Sequence, residues 1–342
     1  MATTATGVRV VEVTEPGSPD FAALLAVRQG ADAELDPADP VTPAAELAAE
    51  LFLTPPDVHA RGWLATDGGA PVGALTLQQH RDGVNDAAIE LEAVTLPAHR
   101  RRGVARALLR VGLDAVAALD GTSVIGWSAA EAGAALCRTL GLTHRQDERE
   151  SRLRIADLDA DQQRRWIEEA PARAAGYRLE GWVGMTPDER AEPLARALAS
   201  MVDAPIDGFD WTVQPVRPDE LVGRERWWDA RGYDIVTTLA LAPGGEPAGA
   251  SQILASRLRP AVAAQADTGV VAAHRGHRLG RWLKAENMRR ALAHAPGIEV
   301  VDTTNAESNP YMLAINVDMG FRPHHAYATF QGDLSTARAA VG

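Results

Sequence analysis

Two stretches of this sequence repeat one another 175 residues apart, and that repeat decides how the chain can be divided. The first runs Val94-Thr95-Leu96-Pro97-Ala98-His99-Arg100-Arg101-Arg102-Gly103-Val104-Ala105 and continues Arg106-Ala107-Leu108-Leu109-Arg110. The second runs Gly269-Val270-Val271-Ala272-Ala273-His274-Arg275-Gly276-His277-Arg278-Leu279-Gly280 and continues Arg281-Trp282-Leu283-Lys284. Each reads as an apolar strand, a short basic turn carrying glycine, and an amphipathic helix. A second landmark repeats at an offset of 179: Leu140-Gly141-Leu142 near the end of the first half and Met319-Gly320-Phe321 near the end of the second. Two landmarks at nearly equal offsets predict two homologous domains, at 1–155 and 176–342. The polar, charged stretch 156–175 is read as their linker, helical in part. A chain of 342 residues is long for one core and comfortable for two.

Within the first domain the pattern predicts a strand over 8–13, helices over 20–28 and 44–53, and a hairpin of 62–66 with 71–77 around Asp67-Gly68-Gly69. A strand over 87–96 enters the basic turn, and a helix, a short strand over 123–127 and a helix over 131–140 follow. The second domain predicts a strand over 177–182, a helix around 187–201, a loop over 203–208, and a hairpin of 233–241 with 248–254. Strand, basic turn, helix, strand over 299–301 and helix then recur. An early antiparallel meander followed by mixed strands and helices makes the class α/β (α+β).

Composition narrows the partners. The hydrophobic fraction of 46% and charged fraction of 23% belong to a globular chain. The net charge of −12 argues against nucleic acid and is compatible with a cationic substrate. No run of about 18 apolar residues is present, and the first seven residues lack the basic and apolar regions of a signal peptide. The single cysteine, Cys137, permits no disulfide within the chain. A cytoplasmic protein with no membrane contact is expected. Cys137 falls on an apolar helix face and reads as a core residue, and no Cys/His cluster has metal-ligand spacing.

The basic turns carry the chemistry. A strand passing into a helix N-terminus through a glycine turn leaves main-chain N–H groups unpaired, and these, with the helix dipole, form an anion site. Gly103 admits a phosphate without a Cβ clash, and Ala105 keeps the helix start equally close. Arg100, Arg101 and Arg102 add positive charge. In the second turn Arg278 stands where glycine is usual, flanked by Gly276 and Gly280.

The pattern Arg100-x-x-Gly103-x-Ala105 after a strand resembles the pyrophosphate-binding motif of the GNAT acetyltransferases. The second half, through Gln265-Ala266-Asp267-Thr268, His274 to Gly280 and Asn305-Ala306-Glu307-Ser308-Asn309, is similar to tandem GNAT proteins of actinobacterial type, whose layout mycothiol synthase shares distantly. The resemblance implies two GNAT folds, each a mixed, mostly antiparallel sheet with helices on both faces and a splayed, V-shaped slot. It implies acetyl-CoA or another acyl-CoA as donor, with pantetheine along Val94 and Leu96 or along Val270 and Val271. The pyrophosphate would rest on Arg100, Arg101, Arg102, Gly103, Val104 and Ala105, or on Arg275, Gly276, His277, Arg278, Leu279 and Gly280. Asn305 and Asn309 would reach the cofactor arm.

The implied activity is transfer of an acetyl group to a primary amine by direct attack in a ternary complex. Open acceptors include an amino sugar or antibiotic, a polyamine, an amino acid and a protein terminus. Glu92 and the aligned Asp267 are the candidate bases, and a main-chain N–H near Val94 or Val270 would meet charge on the thioester oxygen. The tyrosine that many GNAT enzymes use as acid has no counterpart: Cys137 and Asn316 occupy its position, and Tyr311 is the nearby substitute. A non-catalytic acyl-CoA sensor, or transfer to a thiol or hydroxyl, is the alternative. The second half is the expected catalytic one, in a monomer that is an internal pseudo-dimer or in a homodimer.

Overall fold

A computed structural model describes residues 2–3, 7–203 and 208–342. The loop expected over 203–208 falls mostly outside them. In chain order the elements are β1 (Ala2–Thr3), β2 (Val8–Val13), α1 (Pro19–Leu35), α2 (Ala44–Phe52), β3 (Val58–Asp67), β4 (Ala70–His80), β5 (Ala88–Thr95), α3 (Val104–Ala118), β6 (Ser123–Ser128), α4 (Glu131–Thr139) and β7 (Thr143–Arg154). They continue with α5 (Ala160–Arg173), β8 (Arg178–Val183), α6 (Asp188–Leu198), α7 (Pro218–Ala230), β9 (Tyr233–Leu241), β10 (Pro247–Ser256), β11 (Val262–Val270), α8 (Leu279–His294), β12 (Val300–Ala306), α9 (Pro310–Met319), β13 (Arg322–Asp333) and α10 (Leu334–Val341). No helix of the described residues is long and apolar enough to cross a membrane.

The compact units are not the two contiguous halves. One comprises Met1–Gln146, Gly208–Thr212 and Ala328–Gly342; the other comprises Asp147–Asp207 and Val213–Tyr327. The units depart from the boundaries expected at 155 and 176 because each half gives a strand to the other half's sheet. Residues 148–154 of β7 pair antiparallel with β12, from Glu148 opposite Ala306 to Arg154 opposite Val300. Residues 328–333 of β13 pair antiparallel with β6. The expected linker is also part of the second unit. Its helix α5 begins at Asp159, whose carboxylate caps Gln162 N–H, and Gln163 Nε2 donates to the carbonyl of Ala285 in α8 at 2.9 Å.

In the first unit an antiparallel meander β2-β3-β4-β5 is followed by β6, parallel to β5. Its core joins Trp63, Leu75, Leu77 and Ile89 to Leu108, Leu113 and Val116 of α3 and to Phe330 and Leu334 near the C-terminus. A second cluster holds Phe21, Leu24 and Val27 of α1 with Leu47 and Leu51 of α2 against the other side of β3 and β4. The second unit repeats the plan: β8-β9-β10-β11 antiparallel, β12 parallel to β11, and β7 outside β12. Its core packs Met288 and Ala291 of α8 with Val236, Ile253, Val301 and Phe321.

Its sheet interior differs in one respect. Thr237, Thr238, Ser251, Gln252, Gln265 and Thr268 are all buried, and each finds a side-chain partner, as buried polar groups must. Thr237 and Thr238 are consecutive on β9 and point to opposite faces. Thr237 meets Gln252, which meets Glu225 of α7; Thr238 meets Asn287 of α8. So α7 and α8 cover opposite faces of this sheet.

Candidate active site

The strand pair before each basic turn is splayed. β11 pairs with β12 only at Val262–Val300, Ala263–Val301 and Ala264–Asp302, although it runs on to Val270. β5 pairs with β6 only at Ala88–Ser123, Ile89–Val124 and Glu90–Ile125, although it runs on to Thr95. Each opening leaves strand amides and carbonyls unclaimed by the neighbouring strand, so an extended ligand can take their place.

Both openings lead to the same turn geometry. Arg100 Nε donates to the carbonyl of Thr95 at 3.1 Å, and Arg275 Nε donates to Val270 in the same way at 3.1 Å. Two positive-φ residues follow in each copy: Arg101 (63°) and Gly103 (84°), then Gly276 (87°) and Arg278 (58°). Glycine and arginine have exchanged places while the backbone stayed the same. Neither Gly103 nor Arg278 caps its helix with a side chain, so the first N–H groups of α3 and α8 remain available to an anion.

In the second unit the opening is a cavity of about 1110 Å³. β11 lines it from Ala264 to Val270, and the turn and α8 contribute Arg275, Gly276, Arg278, Leu279, Gly280, Arg281 and Lys284. β12 contributes Asp302 to Asn305, the start of α9 contributes Asn309 to Met312, and Glu150, Ser200 and Met201 complete the wall. Val271 and His277 sit at the turn: Val271 N–H donates to Ala248, and His277 Nδ1 lies 3.4 Å from the carbonyl oxygen of Arg173. Asn309 caps α9 by accepting from Met312 N–H. Tyr311 is 85% exposed at the rim.

The two faces of this slot have different chemistry. A bulge in β11 opposite Gln252 separates Gln265 and Thr268, which share Ser251, from Asp267. Asp267 turns to the α7 face, where Arg224 pairs with it at 2.9 Å and also reaches Gln252 Oε1 at 3.4 Å. Arg224 lies over Trp228, with its guanidinium 4.6 Å from the ring centre; Trp227 instead carries Arg231. Asp302, register partner of Ala264, and Glu150, register partner of Thr304, belong to the same face. Arg152 binds Asp302 through two 2.7 Å hydrogen bonds. Burial lifts the Glu150 carboxyl above the ordinary range, and the charge of Asp302 lifts it further. No feature of the sequence signalled Glu150.

On the α8 face Lys284 is completely buried. Its Nζ donates to Asn316 Oδ1 at 2.7 Å, and Asn316 Nδ2 donates to Asn305 Oδ1 at 2.7 Å. Desolvation pushes the Lys284 ammonium down to about 7. Gln265 Oε1, buried on this side, has no hydrogen-bond partner among the described residues.

The first unit places its counterparts differently. Glu92 is ion-paired with Arg28 of α1 at 2.5 Å, and Arg100 is held by both carboxylate oxygens of Glu34. Val94 and Leu96 pack against the α1–α2 cluster. Arg101 and Arg102 are exposed, Val104 is buried under the turn and Ala105 lies at the start of α3. Cys137 is buried, and burial raises its thiol.

Residues 27–141 match the Acetyltransferase (GNAT) family. Among curated proteins none gives a significant match. Among solved structures the chain is similar to a tandem GNAT protein from the clavulanic acid biosynthesis pathway, with TM-score 0.78 and 26% identity over 96% of this chain and 98% of that one. It is also similar to a GCN5-related N-acetyltransferase from Sphaerobacter thermophilus, with TM-score 0.69 and 13% identity over 97% of each chain, and to a putative acetyltransferase from Pyrococcus horikoshii, with TM-score 0.58 and 12% identity over 96% and 89%.

Proposed function

Because the chain is a tandem GNAT protein, a family of acyltransferases, we propose that its second unit transfers an acetyl group from acetyl-CoA to a primary amine of a small molecule. The observation that carries this reading is the splayed β11–β12 slot opening onto an uncapped, arginine-bearing helix start. The slot's own groups suit the donor. The free N–H groups at Leu279 and Gly280, with Arg275 and Arg278, match a diphosphate. The open edge of β11 from Gln265 to Val270 matches the amides of a pantetheine arm, and Gln265 Oε1 supplies a buried acceptor that lacks a donor. When bound, acetyl-CoA supplies an activated carbonyl with a thiol leaving group.

The remaining steps belong to the protein. Asp267, Asp302 and Glu150 line the α7 face, where a carboxylate can receive a cationic amine. Asp267 and Asp302 are each tied to an arginine, so they orient. Glu150 carries the raised carboxyl and accepts the amine's proton, directly or through water. A main-chain N–H of the splayed strand near Val270 would meet charge on the carbonyl oxygen.

Titration calorimetry with acetyl-CoA, followed by free-thiol release across a panel of amines, tests the proposal. Binding with turnover on an amine supports it. Binding without turnover on any amine leaves the acyl-CoA sensor, which the lack of a phenol at Asn316 favours. No binding rejects the assignment.

A further inference from the structure

The cavity contains an ionisable group that the mechanism above leaves idle. We propose that Lys284 protonates the departing sulfur, the task that many GNAT enzymes give to a tyrosine at the position of Asn316. The proposal rests on reading the cavity as a CoA thioester site.

Three observations carry it. Lys284 lies on the cavity wall, wholly buried, and its Nζ is fixed by Asn316, whose amide is fixed in turn by Asn305 at the end of β12. These hydrogen bonds link α8 through α9 to β12. Asn316 has no proton to give; Lys284, one hydrogen bond away, has.

Second, Lys284 has no carboxylate partner among the described residues. On α8, α9 and β12 the nearby charged groups pair elsewhere: Arg281 with Asp318, Glu286 with Arg289 and Arg290, Asp302 with Arg152. Its ammonium also lies 5.3 Å from the centre of the Phe321 ring. A buried cation without a counter-ion costs stability, and such groups collect at functional sites.

Third, packing does not require it. The repeat offset of 175 puts Leu109 at this place in α3, and the offset of 179 puts Cys137 at the place of Asn316. Both belong to the apolar core of the first unit. The same fold position is filled by a leucine–cysteine pair in one copy and a lysine–asparagine pair in the copy whose slot is the large cavity.

The atoms balance. The amine nitrogen bonds the carbonyl carbon, the carbon–sulfur bond breaks, and its electron pair goes to sulfur. A proton passes from Lys284 Nζ to that sulfur. The proton leaving the amine passes to Glu150 and then to solvent, and Lys284 regains one from solvent when the product departs.

The test uses CoA itself and needs no acceptor. Thiolate absorbance of bound CoA is followed against pH for the wild type, Lys284→Met and Lys284→Leu, the last being the residue of the first copy. Thermal melts of both variants check folding, which loss of an unpaired buried cation should leave intact. In the wild type the bound thiol should ionise about one pH unit or more below free CoA, because the ammonium stabilises the thiolate. Both variants should lose that shift, with CoA affinity kept within about threefold because the diphosphate end is held elsewhere. Equal ionisation in wild type and variants overturns the role of Lys284 and leaves the CoA site standing. An acetyl group found on Lys284 by mass spectrometry after incubation with acetyl-CoA also overturns it, by making the lysine a nucleophile. Absence of CoA binding by the wild type removes the underlying site reading itself.

Discussion

Arg278 holds the left-handed backbone conformation, φ 58°, that Gly103 holds one repeat earlier at 84°, while Gly276 at 87° takes the place of Arg101 at 63°. The turn needs two such residues, and each copy gives glycine to only one of them. An L-residue there costs about 1–2 kcal/mol. In the second copy that cost puts a guanidinium at the mouth of the slot.

The two strained positions can therefore be separated. Gly276→Ala, with no atom within 4 Å of the added carbon, should destabilise the fold by about 1 kcal/mol through backbone strain alone, read by thermal unfolding. Arg278→Gly should leave stability unchanged or slightly higher and weaken acetyl-CoA binding roughly tenfold, the loss of one charge-assisted contact of about 1.5 kcal/mol. Calorimetry checks the second outcome. Equal affinity would mean that Arg278 does not face the diphosphate.

Glu92 and Asp267 occupy one repeat position, and each is paired with an arginine from a covering helix, Arg28 in α1 and Arg224 in α7. If the second unit is the catalytic one, the same charge removal has different consequences. Asp267→Asn should lower kcat/KM with little change in melting temperature. Glu92→Gln should leave kcat/KM unchanged and destabilise the first unit by about 2 kcal/mol, because Arg28 loses its main partner in a largely buried setting. The reverse result would move catalysis to the first unit.

Glycine also sets how closely the meander meets the helix. Gly73 lies opposite Thr95 and Gly249 opposite Val270, the last residues of the strands that enter the turns. A Cβ at Gly249 would stand 2.6 Å from the Gly269 carbonyl oxygen and 3.1 Å from Leu283; at Gly73 it would stand 2.8 Å from the Val94 oxygen and from Val104. Gly249→Ala should cost about 1–3 kcal/mol as β10 is forced from β11, and it should narrow the slot, weakening acetyl-CoA binding. Chemical denaturation and calorimetry on the same sample measure both.

The order of elements was legible because apolar periodicity, turn glycines and the repeat agree with one another. The helices after the basic turns and the Gly141 and Gly320 caps stand where the sequence puts them. Leu142 N–H and Phe321 N–H each return to a carbonyl five residues back, on Cys137 and Asn316. The strand exchange was not legible. β7 reads Thr-His-Arg-Gln-Asp-Glu-Arg-Glu-Ser-Arg-Leu-Arg, with scarcely an apolar residue, because much of its bonding is electrostatic. Arg149 pairs with Glu307 and Arg152 with Asp302 across the strands, and Glu150 faces the cavity. Helix α7, which carries Trp227 and Trp228, was equally hidden. Its buried Glu225 answers Thr186 and Gln252 rather than a hydrophobic stripe. Lys284 was visible only as a residue of an amphipathic helix, since a charged residue in sequence gives no sign that folding removes it from water.

Glu150 supplies the prediction with the clearest pH signature. Burial and the charge of Asp302 raise its carboxyl above the ordinary glutamate value, so the folded protein binds this proton more tightly than the unfolded chain does. The linkage sign follows: stability from this group is present at pH below the ordinary glutamate range and is lost as pH rises from that range through the raised folded value. Glu150→Gln removes the cost of burying the charge and should melt higher than the wild type at pH 7. The difference should shrink as the pH falls toward the ordinary glutamate range. The same substitution should remove the acidic limb of kcat/KM, where the wild type gains activity as Glu150 ionises and becomes able to accept a proton. A variant that melts higher yet keeps the wild-type pH profile would identify Glu150 as a buried carboxylate beside the reaction and return the role of base to Asp267.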